Sequence, residues 1–257
     1  MAKSWRSAAA RRLRALSDNA HTTEDAVKTI AGRLLADVTT PPTDLPAVGA
    51  KLDVVSIDAD KSLAGSGGLQ RYRAGYRILY SPSQPVPRQR FTIAHELAHA
   101  VFERTGQRCP RHGRELERLC DMIATELLLP EAIFRRHVGD KTEIPNLRRV
   151  AKLFEASLSA TLIRAAELFD LSVCECQDGT VTWSFGRDVR WMQKHVPKEW
   201  ESVLKVVADT PSGRATMRLP SRKATRMFVV EWTRTSDVER QMILLHPLLN
   251  DSDKAVP

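Results

Sequence analysis

From Thr23 to Val38 apolar residues recur at helical spacing. Val27, Ile30, Ala31, Leu34 and Leu35 share one side, with Thr22 or Thr23 as the cap. Thr39-Thr40-Pro41-Pro42 stops this helix, and Asp44-Leu45-Pro46 opens a short one that ends near Gly49. Three strands are predicted next, Asp53 to Ile57, Leu69 to Tyr72 and Tyr76 to Tyr80, with Ala74-Gly75 turning between the last two. Three prolines between Ser81 and Pro87 predict loop. A helix from about Arg88 to Arg104 follows, then irregular chain from Thr105 to Gly113. A second long helix, Arg114 to Leu129, is ended by Pro130. Ile144 to Leu171 reads as two short helices around Ala156-Ser157. Beyond residue 172 strands dominate: Val181 to Phe185, Ala215 to Leu219, Arg226 to Thr233 and Met242 to His246, with one helix from Pro197 to Val207.

Composition narrows this little. The 257 residues suit one large domain or two modest ones, and 42% hydrophobic residues suffice for a buried core. No apolar run approaches the roughly 20 residues of a membrane-spanning helix, so a membrane partner is not expected. The N-terminus is basic (Lys3, Arg6, Arg11, Arg12, Arg14) without the apolar stretch of a secretory signal. It reads as a surface helix on a soluble cytoplasmic protein. Four cysteines do not make a disulfide framework. Cys174-Glu175-Cys176 alternates like a strand that points both sulfurs to one face, where burial is the simpler reading than metal or redox work. The net charge of +8 gathers at the two ends without a long basic run, so solvated charge is favoured over a nucleic-acid surface.

The helix after the strands carries His95-Glu96-Leu97-Ala98-His99. Residues four apart lie one turn above each other on one helical face, so both imidazoles can reach a single ion. Glu96 sits about 100° further around. It borders such an ion without binding it, a placement that suits a general base. A hydrolytic zinc site takes three protein ligands and leaves a fourth position open. Glu117-Arg118-Leu119-Cys120-Asp121 on the next helix offers Glu117 as third ligand and, one turn on, Asp121. Asp121 could hold the outer nitrogen of His95 or His99. Glu126 is a rival ligand, about half a turn around the same helix from Glu117. Cys109-Pro110-Arg111-His112 could instead close a structural site with the two histidines, which would leave Glu96 and the Glu117/Asp121 pair without a purpose.

These residues resemble the ImmA/IrrE family of bacterial zinc metallopeptidases. The resemblance rests on Arg90-Phe91-Thr92-Ile93-Ala94-His95-Glu96-Leu97-Ala98-His99, then Glu117-Arg118-Leu119-Cys120-Asp121, then Ala124-Thr125-Glu126-Leu127-Leu128-Leu129-Pro130. It spans roughly residues 23–170. It implies zinc (Zn2+) on His95, His99 and Glu117, with Glu96 as base. Ala98 stands where the family often has glycine, and Asp121 where relatives often have asparagine. The family implies cleavage of a regulatory protein, often a helix-turn-helix repressor, in stress responses or mobile-element control. Tyr72, Tyr76 and Tyr80 are the nearest candidates in sequence for a second electrophile at the oxyanion, although a place in the sheet is the simpler reading.

Residues from Leu147 to Phe169 resemble a helix-turn-helix, with Leu147, Val150, Phe154, Leu158, Leu162, Ile163 and Ala166 as its core. Thr161 and Arg164 are its main options for reading bases, too few to favour direct DNA binding. Four of the five tryptophans (Trp183, Trp191, Trp200, Trp232) fall in the tail, where core packing is the simpler reading. The chain is thus expected to be α+β. A mainly helical zincin-like metallopeptidase domain with a small three-stranded sheet would occupy residues 1–130, and a helix-turn-helix-like segment 131–171. A mixed α/β C-terminal domain, sensory or substrate-docking, would fill 172–257. The competing expectations are a DNA-binding transcriptional regulator with a structural or regulatory zinc site, and a partner-binding module whose zinc is inert.

Overall fold

The structure is a computed structural model describing residues 5, 7–103, 113–186, 189, 192–194, 197–208, 210–220, 225–235 and 240–248. The fold is α+β, and the chain divides into two compact units: Met1–His137 with Ala151–Ser157, and Val138–Val150 with Leu158–Pro257.

The first unit opens with α1 (Ala8–Leu16), whose N-cap Ser7 accepts from the Ala10 amide; the basic helix buries Ala9, Ala10 and Leu13. In α2 (Thr23–Leu34) Thr22 is the cap, accepting from the Asp25 amide, and Val27, Ile30, Ala31 and Leu34 form the buried side. Asp44 caps the short α3 (Leu45–Ala50), with proline in its first turn. Strands β1 (Val54–Ala59), β2 (Gly67–Tyr72) and β3 (Gly75–Tyr80) form one sheet in the order β1-β3-β2. The β1–β3 pair is parallel and the β2–β3 pair antiparallel, which leaves β2 on the edge.

Helix α4 (Val86–Glu103) packs against this sheet, and α5 (Arg114–Leu128) packs against α4, α2 and α1. The start of α4 corrects the expected loop: Val86 and Pro87 are already helical. Proline fits a first turn because the N–H it lacks has no partner there. The apolar stripe of α5 (Leu116, Leu119, Ile123, Leu127) is buried throughout. α6 (Glu131–Val138) follows Pro130, an element the hydrophobic pattern did not predict.

α7 (Ile144–Leu153) and α8 (Leu158–Leu168) are the two short helices expected around Ala156-Ser157. The second unit holds a five-stranded sheet of β4 (Ser172–Gln177), β5 (Thr180–Phe185), β6 (Ser212–Pro220), β7 (Thr225–Arg234) and β8 (Arg240–Pro247). Its order is β5-β4-β8-β7-β6, antiparallel at every step. The β4–β5 hairpin turns on Asp178-Gly179, both with positive φ, the two-residue geometry that matches strand twist. One face buries Cys174, Cys176, Phe228, Val230, Ile243 and Leu245 against Trp200, Val203 and Val207 of α9 (Pro197–Ala208). Both sulfurs therefore lie in one apolar core. A hydrogen bond with Cys176 and burial push the Cys174 thiol well above its usual pKa. No helix among the described residues is long and apolar enough to cross a membrane.

Candidate metal centre

The long helix α4 puts His95 and His99 one turn apart, and α5 alongside it brings Glu117 up to them. His95 Nε2 lies 3.1 Å from Glu117 Oε2 and 3.2 Å from His99 Nε2, and His99 Nε2 lies 3.7 Å from the same carboxylate oxygen. Three ligand atoms held tetrahedrally at 2.0–2.1 Å from zinc stand about 3.3–3.4 Å apart. The three separations, 3.1, 3.2 and 3.7 Å, bracket that value.

The donor set also suits a cation. Asp121 Oδ1 is 2.9 Å from His95 Nδ1, and a carboxylate there assigns the ring proton to Nδ1. His95 Nε2 then carries a lone pair, aimed at a carboxylate oxygen and at a second imidazole nitrogen. A proton or a metal ion must sit among them. Burial alone would lower the pKa of His95. The hydrogen bond and charge of Asp121, with Glu96 and Glu117, outweigh it and raise the pKa.

Residues 52–166 match the family model Peptidase_M78, the IrrE N-terminal-like domain. Over those residues the chain is similar to an IrrE N-terminal-like domain. Among solved structures it is similar in fold to a Mycobacterium tuberculosis transcriptional regulator, at a TM-score of 0.54 and 12% identity over 93% of this chain and 80% of that one. No curated protein sequence matches the chain. The match over 52–166 agrees with the resemblance drawn from the motif residues.

The matched region opens its histidine pair to a polar cleft of about 430 Å³. His95, Glu96, His99 and Glu103 of α4 line it with Glu117 of α5, the edge strand β2 and Tyr76 of β3. Gly67 is the reason β2 can lie this close to α4. A Cβ there would meet Thr92 Cγ2 at 2.4 Å and the Leu79 carbonyl at 2.8 Å. Arg71 on β2 reaches Glu103 of α4 at 3.4 Å and stacks its guanidinium over Tyr76.

Of the three tyrosines, Tyr76 is in the cleft wall. Tyr72 is exposed, with the guanidinium groups of Arg73 and Arg77 over its ring. Glu126 is buried on α5, and Cys109 and His112 lie outside the described residues. Cys120 is the residue that reading the motif passed over as a ligand. Its sulfur and ring nitrogens of His95 and His99 all fall within 4.8 Å of one another. Its position three residues after Glu117 was the available signal, since that spacing shares a helix face. Two third ligands therefore compete. Glu117 lines the cleft and closes the 3.1 and 3.7 Å distances. Cys120 is wholly buried, and adding it as a fourth ligand would fill the position a hydrolytic site keeps open.

Proposed function

We propose that the chain is a cytoplasmic zinc-dependent endopeptidase that hydrolyses a specific regulatory protein of the helix-turn-helix repressor type, in a stress or mobile-element response. The observation that carries the peptidase reading is the triangle of His95, His99 and Glu117 atoms at zinc-ligand separations beside Glu96, in a cleft bordered by an edge strand. The repressor-type substrate rests on kinship alone. His95, His99 and Glu117 would hold the ion, with Asp121 fixing the His95 ring through its Nδ1 proton. Zinc, when bound, polarises the scissile carbonyl and brings the pKa of water to about 7.

The remaining chemistry belongs to the chain. A peptide can pair with the outer edge of β2, whose backbone groups there are unmatched within the sheet. Such pairing would lay its backbone across the cleft beside Glu96. Glu96 takes a proton from the attacking water as the new C–O bond forms, and delivers it to the amine nitrogen as the C–N bond breaks. The rival DNA-binding reading needs Thr161 and Arg164 at base edges. Both side chains are buried, and Arg164 is paired with Glu167 at 2.8 Å.

N-terminal proteomics of cells producing wild type or Glu96→Gln tests the reading, with zinc measured in both purified proteins. The expected result is equal zinc and new protein N-termini in the wild-type cells only. Identical N-termini with zinc bound would overturn the peptidase and leave an inert zinc module.

A further inference from the structure

The second unit contains a larger cavity, about 770 Å³, between the start of α7 and the β6–β7 edge of the five-stranded sheet. Its floor is Glu231 on β7, whose side chain is 4% exposed. Oε2 of this carboxylate accepts the Ile144 amide at 2.7 Å. Oε1 has no hydrogen-bond partner among the described residues. The two nitrogens that face it are too far to supply one: Arg214 Nε at 3.6 Å, and His246 Nε2 at 3.8 Å. His246 Nε2 is itself without a partner among the described residues. A buried carboxylate oxygen left this way costs free energy that an added donor would recover.

The cavity walls are charge-balanced. Glu143 joins Glu231 on the acidic side; Arg148 and Arg214 supply two guanidinium groups. Arg148 is held in place by donating to Thr233 Oγ1 at 2.7 Å. Arg214 stands opposite Glu231 in the β6–β7 register, more than half exposed at the mouth. Ile144, Pro145 and Trp232 add apolar wall. An inner anionic site with an outer cationic one matches a ligand carrying both charges a few ångströms apart, with an apolar remainder.

We propose that this cavity binds a small zwitterion of the α-amino-acid class, its ammonium donating to Glu231 Oε1 and its carboxylate meeting the Arg214 guanidinium. The cavity is lined by residues of the second unit alone and does not depend on the peptidase reading.

Calorimetric titration of the full chain with each of the twenty amino acids tests this. Every amino acid that binds is compared with its decarboxylated amine and its N-acetyl form. At least one amino acid should bind saturably, with both derivatives tenfold or more weaker. Glu231→Gln should lose tenfold or more while keeping the wild-type circular dichroism. If that variant fails to fold, Glu231→Asp should show the same loss, because its carboxylate is drawn back from the ligand. Arg214→Ala should weaken the amino acid and leave the amine unchanged. Absence of binding at 10 mM (about 3 kcal/mol of affinity) by all twenty overturns the proposal. So does binding unaffected at Glu231, or an amine bound as tightly as its amino acid. A stronger amine affinity in Arg214→Ala, with the amino acid unchanged, would identify Arg214 as the internal counter-ion of Glu231 and also overturn it.

Discussion

Glu117 and Cys120 occupy one face of α5, and their environments separate their roles. A carboxylate at the cleft can hold an ion that also meets solvent and substrate, and we propose it as the ligand; the thiol beside it is fully buried. Glu117→Ala should therefore cut zinc content measured by elemental analysis from one per chain to well below half, while Cys120→Ser leaves it near one. Zinc retained in the first variant and lost in the second would make the cysteine the ligand. Asp121 acts through His95. With its 2.9 Å contact removed, Asp121→Ala should lower zinc affinity about 10–100-fold in a chelator competition. At pH 8 Asp121→Asn should recover part of that loss, since its amide oxygen can still accept from Nδ1. His246 offers a second residue-level test. Burial, with the charge of Arg214, lowers its pKa to about 4. Its unfolded value near 6.5 means that below that pH the unfolded chain takes up a proton the folded chain refuses. Stability present above pH 6.5 is thus lost as pH falls toward 4, by on the order of 3 kcal/mol. Glu231 acts in the opposite sense: burial raises its pKa, so its contribution declines as pH rises above the usual carboxyl range. Denaturation midpoints followed from pH 7 to 4 should fall less steeply in His246→Asn than in wild type, and equal slopes would refute the assignment.

At the scale of elements, α5 carries two faces with separate duties. Its buried stripe of Leu116, Leu119, Ile123 and Leu127 holds the helix against its neighbours. The other side presents Glu117 and Asp121 to His95. Ile123→Ala should cost about 2–5 kcal/mol in urea unfolding while the folded fraction keeps its zinc, because the residue is on the packing side. Strand β2 is placed by contact rather than by propensity. Gly67→Ala would drive a Cβ into Thr92 and the Leu79 carbonyl, so it should lower kcat/KM on any cleaved substrate with zinc content unchanged. An unchanged kcat/KM would remove β2 from the substrate path. These elements were legible to different degrees. The period of α2 and the His95–His99 spacing are local, and each can be read within one helix. Helix α4 starts at Val86, inside the predicted loop, because proline at a first turn is compatible with helix and does not by itself mark a loop. α6 was missed because a helix of eight residues shows barely two turns of pattern.

For the whole molecule, the motif residues fall inside the 52–166 match, a narrower span than the roughly 23–170 of the resemblance drawn from them. The two compact units divide the chain elsewhere: residues 138–150 and 158 onward group with the five-stranded sheet. Helix periods, caps, the metal-spaced histidines and the alternation of Cys174 and Cys176 were all readable in the chain, because each depends on residues within a few positions of one another. The sequence also nominated Glu117 and Asp121, since they share a helix face at a spacing of four. Which of Glu117, Cys120 and Glu126 meets the histidines depends on the rotation of α5 against α4, and no local pattern encodes that angle. The pairing of β1 with β3, the edge position of β2 and the buried, half-satisfied Glu231 likewise arise between segments far apart in the chain. Such contacts follow from how the apolar faces pack, and only the folded structure decides them.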